Sequence, residues 1–202
     1  MKQKNLIILT IILLFSVLNS CKKGEDDPFF SLLSRKQRLA GKWTLKSADY
    51  TQTKKTPIDM YPYVYHYIYD GSKYAKATIY NGTTKSITEY NYSEKMEFKK
   101  NGTFTKNYTN DGDNFTEEGI WTWIRKNKEI GLKNKEAILL TLTKVIEADG
   151  TVTYSGVSNY PNDMMIFKKL TNKEFVIHFD YSYPNEYGKI ASFIGTMTYT
   201  QD

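Results

Sequence analysis

The chain has 202 residues, 40% of them hydrophobic and 25% charged, with a formal charge of +6 and one cysteine. Its lysines and arginines are scattered singly or in short pairs, whereas a nucleic-acid footprint needs them clustered on one face, so nucleic acid is set aside as a partner. A single thiol cannot form an internal disulfide, so the fold must rest on its core.

Met1–Ser20 read as a secretory leader, with Lys2 and Lys4 ahead of an apolar run from Leu6 to Val17 that is too short to span a bilayer. Ser20-Cys21 at its end resembles the lipobox of bacterial lipoproteins, in which the thiol is lipidated and becomes the mature N-terminus. That resemblance implies lipidation at Cys21, a membrane anchor above the two-chain requirement, and an outer-membrane lipoprotein on its periplasmic or cell-surface face. Residues 21–28 follow as a flexible tether, since Lys22-Lys23-Gly24-Glu25-Asp26-Asp27 is charged and lacks apolar side chains. Its acidic cluster resembles a surface-export tag, and a plain solvated linker accounts for it equally well. Residues 29–202 then form one domain, large enough to bury roughly 70% of the unfolded chain's surface.

Asp27-Pro28 reads as a helix start, with Asp capping free amides and Pro at the first helical position. Phe29, Phe30, Leu32, Leu33 and Leu39 would mark its apolar side, with Arg35, Lys36 and Arg38 solvated. From there the hydrophobic period is two. Trp43 and Leu45 alternate with Thr44 and Lys46, Met96 and Phe98 with Lys95, Glu97 and Lys99, and Phe175, Ile177 and Phe179 with Val176, His178 and Asp180. Asp70-Gly71, Asn81-Gly82, Asn101-Gly102, Asp111-Gly112 and Asp149-Gly150 separate the strands, and such pairs favour the consecutive positive φ angles of type I′ hairpin turns. Roughly ten strand-like segments make an antiparallel meander, and closing it into a barrel would remove exposed edges. Ile130–Leu142 is ambiguous, because Lys133–Ala137 has helical composition while Ala137–Val145 looks like strand.

Gly41-Lys42-Trp43, opening the first strand after the short helix, resembles the first block of lipocalins and of lipocalin-like lipoproteins of Gram-negative bacteria. Met96–Phe104, Gly119–Trp123, Ile138–Leu142 and Phe167–Phe175 are similar to later pieces of the same group. The resemblance implies an up-and-down lipocalin-like barrel in which Gly41 ends the helix and Trp43 plugs the barrel beneath it. It also implies a role in binding a small apolar ligand or in interaction, and it transfers no catalytic residue. The tyrosine-rich segment Tyr50–Tyr92 does not map onto eight strands and implies extra strands or a large loop at the mouth.

Within that segment Tyr61, Tyr63, Tyr65, Tyr67 and Tyr69 recur at every second position and share one strand face, opposite Pro62, Val64, His66 and Ile68. Tyr63, Tyr65 and Tyr67 are candidates for an aromatic wall that contacts a ligand or a glycan, or for a purely structural row. Trp121 and Trp123 likewise share a face, either in the core or exposed as a contact site. His66 and His178 stand 112 positions apart and match no metal-ligand spacing, so no metal, cofactor or catalytic residue is expected. Thr109–Asn114 is rich in oxygen ligands but lacks the EF-hand pattern and reads as a hairpin tip. The expected function is non-catalytic binding of a small hydrophobic or amphipathic molecule in a barrel cavity. The alternative is a filled barrel that contacts glycan or protein through its tyrosine face.

Overall fold

The computed structural model describes residues 26–28, 31–55, 60–129, 131–134, 136–154, 164–184 and 190–202. The leader, Cys21 and most of the tether lie outside the described residues, as do Phe29 and Phe30. Helix α1 (Arg35–Leu39) precedes eleven strands: β1 (Gly41–Lys55), β2 (Tyr63–Tyr69), β3 (Lys73–Tyr80), β4 (Thr83–Phe98), β5 (Thr103–Asn110), β6 (Asp113–Trp123), β7 (Ala137–Ile146), β8 (Val152–Tyr154), β9 (Met164–Leu170), β10 (Glu174–Pro184) and β11 (Ile190–Gln201). Every pairing between them is antiparallel. The all-β, barrel-like architecture expected from the period-two patterning is therefore present.

The barrel closes at one end through eight strands, since β1 pairs there with β4 on one edge and β11 on the other, and β6 and β7 complete the circuit with β5, β9 and β10. Higher up, β1 and β4 part. Gly41–Thr44 pair with Lys95–Phe98, but from Ala48 onward β1 pairs with β2, while β3 takes the upper half of β4. A β-bulge between Leu45 and Ser47 marks the fork. The turn of the β2–β3 hairpin is wedged into it, with Gly71 beside the Lys46 carbonyl and the Ser72 carbonyl accepting from the Tyr92 amide at 3.1 Å. Tyr50–Tyr92 thus contributes two extra strands and the upper halves of β1 and β4. The β5–β6 turn stops level with Asn91, whose carbonyl accepts from the Asp111 amide. Beyond it Thr83–Tyr90 of β4 continue for about 26 Å at the usual rise per residue, so one side of the barrel stands as a tall wall.

The closed end is packed solid. Trp43, Phe98, Phe104, Phe167, Phe175, Leu39 and Leu170 are fully buried there. Trp43 lies edge-on to Phe175 at 4.8 Å, and its indole N–H donates to the Leu39 carbonyl at 2.8 Å, so it sits directly beneath α1. The helix itself departs from expectation. Ser34 caps it, not Asp27: Ser34 Oγ accepts from the Gln37 amide and Gln37 Oε1 accepts from the Ser34 amide, a reciprocal capping box. Its apolar face is shorter than the sequence implies, since Leu32 is 88% exposed, whereas Arg35 and Arg38 are buried instead of solvated. Arg38 Nη1 donates to the Leu170 carbonyl at 2.5 Å, and Asp27 accounts for Arg35. Its carboxylate pairs with Arg35 and accepts from the Leu170 amide at 2.8 Å, and that preceding anion makes burial of the guanidinium tolerable. Gly41 does not end the helix either; an extended Ala40 does, and Gly41 is the first residue of β1.

The turns separate into three kinds. Asn81-Gly82 and Asp111-Gly112 have positive φ at both residues, as type I′ requires. In Asn101-Gly102 and Asp149-Gly150 only the glycine is positive, and Gly102 and Gly150 donate back to Lys99 and Glu147, which is a type I turn closed by a left-handed glycine. At Asp70-Gly71 the aspartate stays in the strand register, and its carboxylate accepts from the Ser72 and Lys73 amides. Between Ile130 and Leu142 strand wins from Ala137 onward, because Ile138 is wholly buried in the barrel wall.

Gly195 sits opposite Tyr50 on one side and Phe179 on the other, and those two rings lie 5.5 Å apart. A Cβ there would overlap the Asp49 carbonyl oxygen and the Tyr50 backbone, and the φ of +147° is itself unfavourable for an L side chain. Gly195→Ala should therefore lower unfolding free energy by about 3 kcal/mol in urea titration. Gly112→Ala, at an open turn with positive φ, should cost only about 1 kcal/mol.

Candidate ligand-binding site

Above the packed end the barrel interior divides into two halves. On the β1–β4 side it is filled by tyrosine rings. Tyr50 stacks on Tyr67 at 4.7 Å, Tyr74 on Tyr90 at 5.6 Å, and Tyr92 lies edge-on to Tyr74 at 5.0 Å. Across from them, between β4–β5 and β7–β11, a cavity of about 170 Å³ remains. Met96, Met164, Met165 and Met197 line it together with Leu140, Ile177 and Phe179. Unbranched thioethers make such a lining adaptable in shape. An eight-stranded barrel is wide enough to be filled by side chains or to hold one small ligand; here the closed end does the first and this half of the middle leaves room for the second.

The cavity has a polar corner made by Glu94, Lys106 and Tyr199. Glu94, on β4, is buried, and both carboxylate oxygens accept from tyrosine hydroxyls at 2.6 Å, Oε2 from Tyr92 and Oε1 from Tyr199. Lys106, on β5, lies 2.7 Å from Glu117 of β6 and 5.1 Å from the Tyr108 ring centroid. Burial opposes its positive charge, but Glu94 and Glu117 outweigh burial and hold the ammonium above its ordinary value. Burial, reinforced by neighbouring hydroxyls and by Glu94, pushes the Tyr74, Tyr92 and Tyr199 hydroxyls far up, so these phenols stay protonated, and Tyr92 and Tyr199 donate to Glu94.

The tyrosine row lies along one gradient. Tyr69 is 3% exposed beside this interior, Tyr65 and Tyr67 are half-buried, and Tyr63 is 38% exposed at the rim. Tyr63 rests on Tyr80 at 4.7 Å, and Tyr65 lies under two cations, Lys54 at 5.4 Å and Lys76 at 4.7 Å. Tyr63 and Tyr65 thus sit on the tall wall at the mouth, and Tyr67 inside it against Tyr50; none of the three lines the cavity. Trp121 and Trp123 face inward at the closed end, edge-on to each other at 5.8 Å, with Ile120 on the outer face. Trp121 packs on Phe98 and donates to the Lys99 carbonyl, while Trp123 lies against Phe167 and under Arg35. Gly41 and Trp43 belong to that same packed end.

His66 Nε2 lies 2.8 Å from Asp49 Oδ1 on the outer face, and the Nδ1 of His178 is buried without a partner; neither histidine lines the cavity. Thr109–Asn114 forms the β5–β6 tip, and no group of three or more metal-ligating side chains occurs among the described residues.

Sequence reasoning missed Glu94, Lys106 and Glu117. The signal was available, because the alternation that places Met96 and Phe98 inward also places Glu94, Tyr92 and Tyr90 inward when carried back along β4. In the same way Phe104 predicts an inward Lys106 on β5. No protein-family model, curated protein or solved structure matches this chain.

The raised tyrosine values carry a pH consequence. A phenol whose folded value exceeds its unfolded value of about 10 leaves stability intact below that pH and removes it as pH rises beyond. Tyrosinate absorbance should rise in two phases, the exposed tyrosines first and the buried set only in a cooperative step coincident with loss of the circular-dichroism signal. A single smooth titration with no unfolding step would contradict the burial described above.

Proposed function

We propose that this chain is a lipid-anchored, lipocalin-like barrel that binds a small amphipathic molecule in its interior and catalyses no reaction. The observation that carries this is the methionine-lined cavity with one charged corner, the combination of apolar volume and few convergent polar groups that small-molecule sites share. The lipocalin reading is supported by the eight-strand closure, the helix capping one end and Trp43 seated beneath it. The anchor reading rests on Cys21, and the chain's entry point suits it. Asp26 donates its amide to the Lys168 carbonyl at 2.7 Å and Asp27 binds the end of β9, so the tether joins the barrel at its closed end. Asp26 follows Cys21 by five positions, a reach of at most about 18 Å when extended. An anchor at Cys21 would hold the closed end toward the membrane and turn the tyrosine-walled mouth to the aqueous phase.

The intact chain, purified in a non-ionic detergent, should carry a low-mass ligand visible by native mass spectrometry. Leu140→Trp, which fills the cavity, should lose it while retaining the folded spectrum. An adduct that survives Leu140→Trp would place binding elsewhere.

The mouth supports a second reading, because Tyr61 and Tyr63 are exposed beside Tyr80 and offer ring faces of the kind that stack on sugars. Tyr63→Ala should then abolish binding on a glycan array without changing thermal stability by more than about 1 kcal/mol. Unchanged array binding would leave the cavity reading alone.

A further inference from the structure

The cavity's polar corner has an unbalanced charge. Glu94 and Lys106 line it, and Glu117, outside the lining, is the carboxylate that pairs with that ammonium. Lys106 and Glu117 compensate each other at 2.7 Å. Glu94 is left with two tyrosine hydroxyls, which donate hydrogen bonds but carry no charge. Glu94, Lys106 and Glu117 together are therefore formally −1, and the Glu94 charge faces the cavity without a cation of its own, in an interior where the effective dielectric is low and charges are weakly screened.

The rest of the lining points the same way. The hydroxyl of Tyr199 is committed to Glu94, the four thioethers are weak acceptors and donate nothing, and Phe179 adds a ring at the cavity wall. A ligand carboxylate entering here would be a third acid gathered around one lysine. An ammonium would instead meet the Glu94 carboxylate, ring faces and sulfur.

We propose that the cavity takes the ammonium end of a small organic cation, with its apolar body among the methionines; this inference rests on the cavity reading above and narrows it. The volume of about 170 Å³ limits that body to something near the size of one aromatic ring, since an apolar cavity of about 150 Å³ accommodates benzene. The distinction is sharp because an apolar cavity alone would rank ligands by size and hydrophobicity, without regard to the sign of their charge.

Benzylammonium, benzyl alcohol and benzoate are matched in shape and differ in that sign. Isothermal titration of the intact chain in a non-ionic detergent should rank them in that order. Benzylammonium should bind about tenfold tighter than the alcohol, the change expected of one desolvated cation contact, and benzoate should bind weakest. Glu94→Gln keeps an acceptor for the tyrosine hydroxyls and should bring benzylammonium down to the level of the alcohol. Should that variant fail to fold, the ranking on the unaltered chain decides the matter by itself. Benzoate binding as well as or better than benzylammonium would overturn the cation inference and leave the cavity reading standing. If none of the three binds, and Leu140→Trp titrates identically to the unaltered chain, both fall.

Discussion

Strand β1 cannot keep the same neighbours along its length, and most of the architecture follows from that. One edge is held by β11 throughout, while the other is shared between β4 below and β2 above. Two strands that diverge leave unsatisfied amides and carbonyls unless something enters the gap. The β2–β3 hairpin enters it turn-first, so the ladder is restored on both sides of the fork. The insertion also widens the barrel, and wider barrels have more interior to fill than small side chains can supply. Tyrosine meets that demand with a large ring and a hydroxyl that can end at water, at a carbonyl or at Glu94. Ten of the 17 tyrosines fall within Tyr50–Tyr92, the segment that makes the fork.

The closed end solves a different problem with buried charge. Arg35 is desolvated, and its guanidinium lies near the Trp123 and Phe167 rings at 5.6 and 5.8 Å. Burial lowers its pKa, partly restored by Asp27, to about 10. That still leaves it charged at neutral pH, so Asp27 is needed as a counter-ion. Because Asp27 also binds the Leu170 amide, the pair ties the entering chain, the helix and the last turn of β9 into one unit. Such a pair is weak evidence of net stability, since desolvation offsets much of its attraction. What it does secure is the direction from which the chain approaches the barrel.

These two features also explain what was legible in the sequence. Strand identity was readable because Trp43, Leu45, Met96, Phe98, Phe175 and Ile177 alternate with polar residues over stretches longer than chance allows. The place of Trp43 under the helix came instead from the resemblance of Gly41-Lys42-Trp43 to the first lipocalin block. The buried arginines were not, because nothing local distinguishes Arg35 from a solvated Lys36; its partner Asp27 lies eight residues earlier and looked like a helix cap. The fork was invisible because pairing of Gly41–Thr44 with Lys95–Phe98 is a contact over fifty residues. The cavity depended on it in turn, since volume is a property of how strands diverge and not of any one of them.

The charged corner is the part of the molecule that folding alone does not explain. A barrel of this size could bury Leu or Met at positions 94, 106 and 117 and avoid desolvating three ions; replacing buried ion clusters with well-packed apolar residues is often neutral or stabilising. Two tyrosine hydroxyls are spent on Glu94, and a half-satisfied polar network is worse than none. Here Glu94 accepts from two tyrosine hydroxyls, Lys106 pairs with Glu117, and the three ions together still carry one formal negative charge beside an open volume. Packing gives no reason to retain that excess, whereas recognition of a complementary charge does. The Arg35–Asp27 pair differs in its setting: its two charges meet directly, and Asp27 ties it to the Leu170 amide with the Trp123 and Phe167 rings beside the guanidinium.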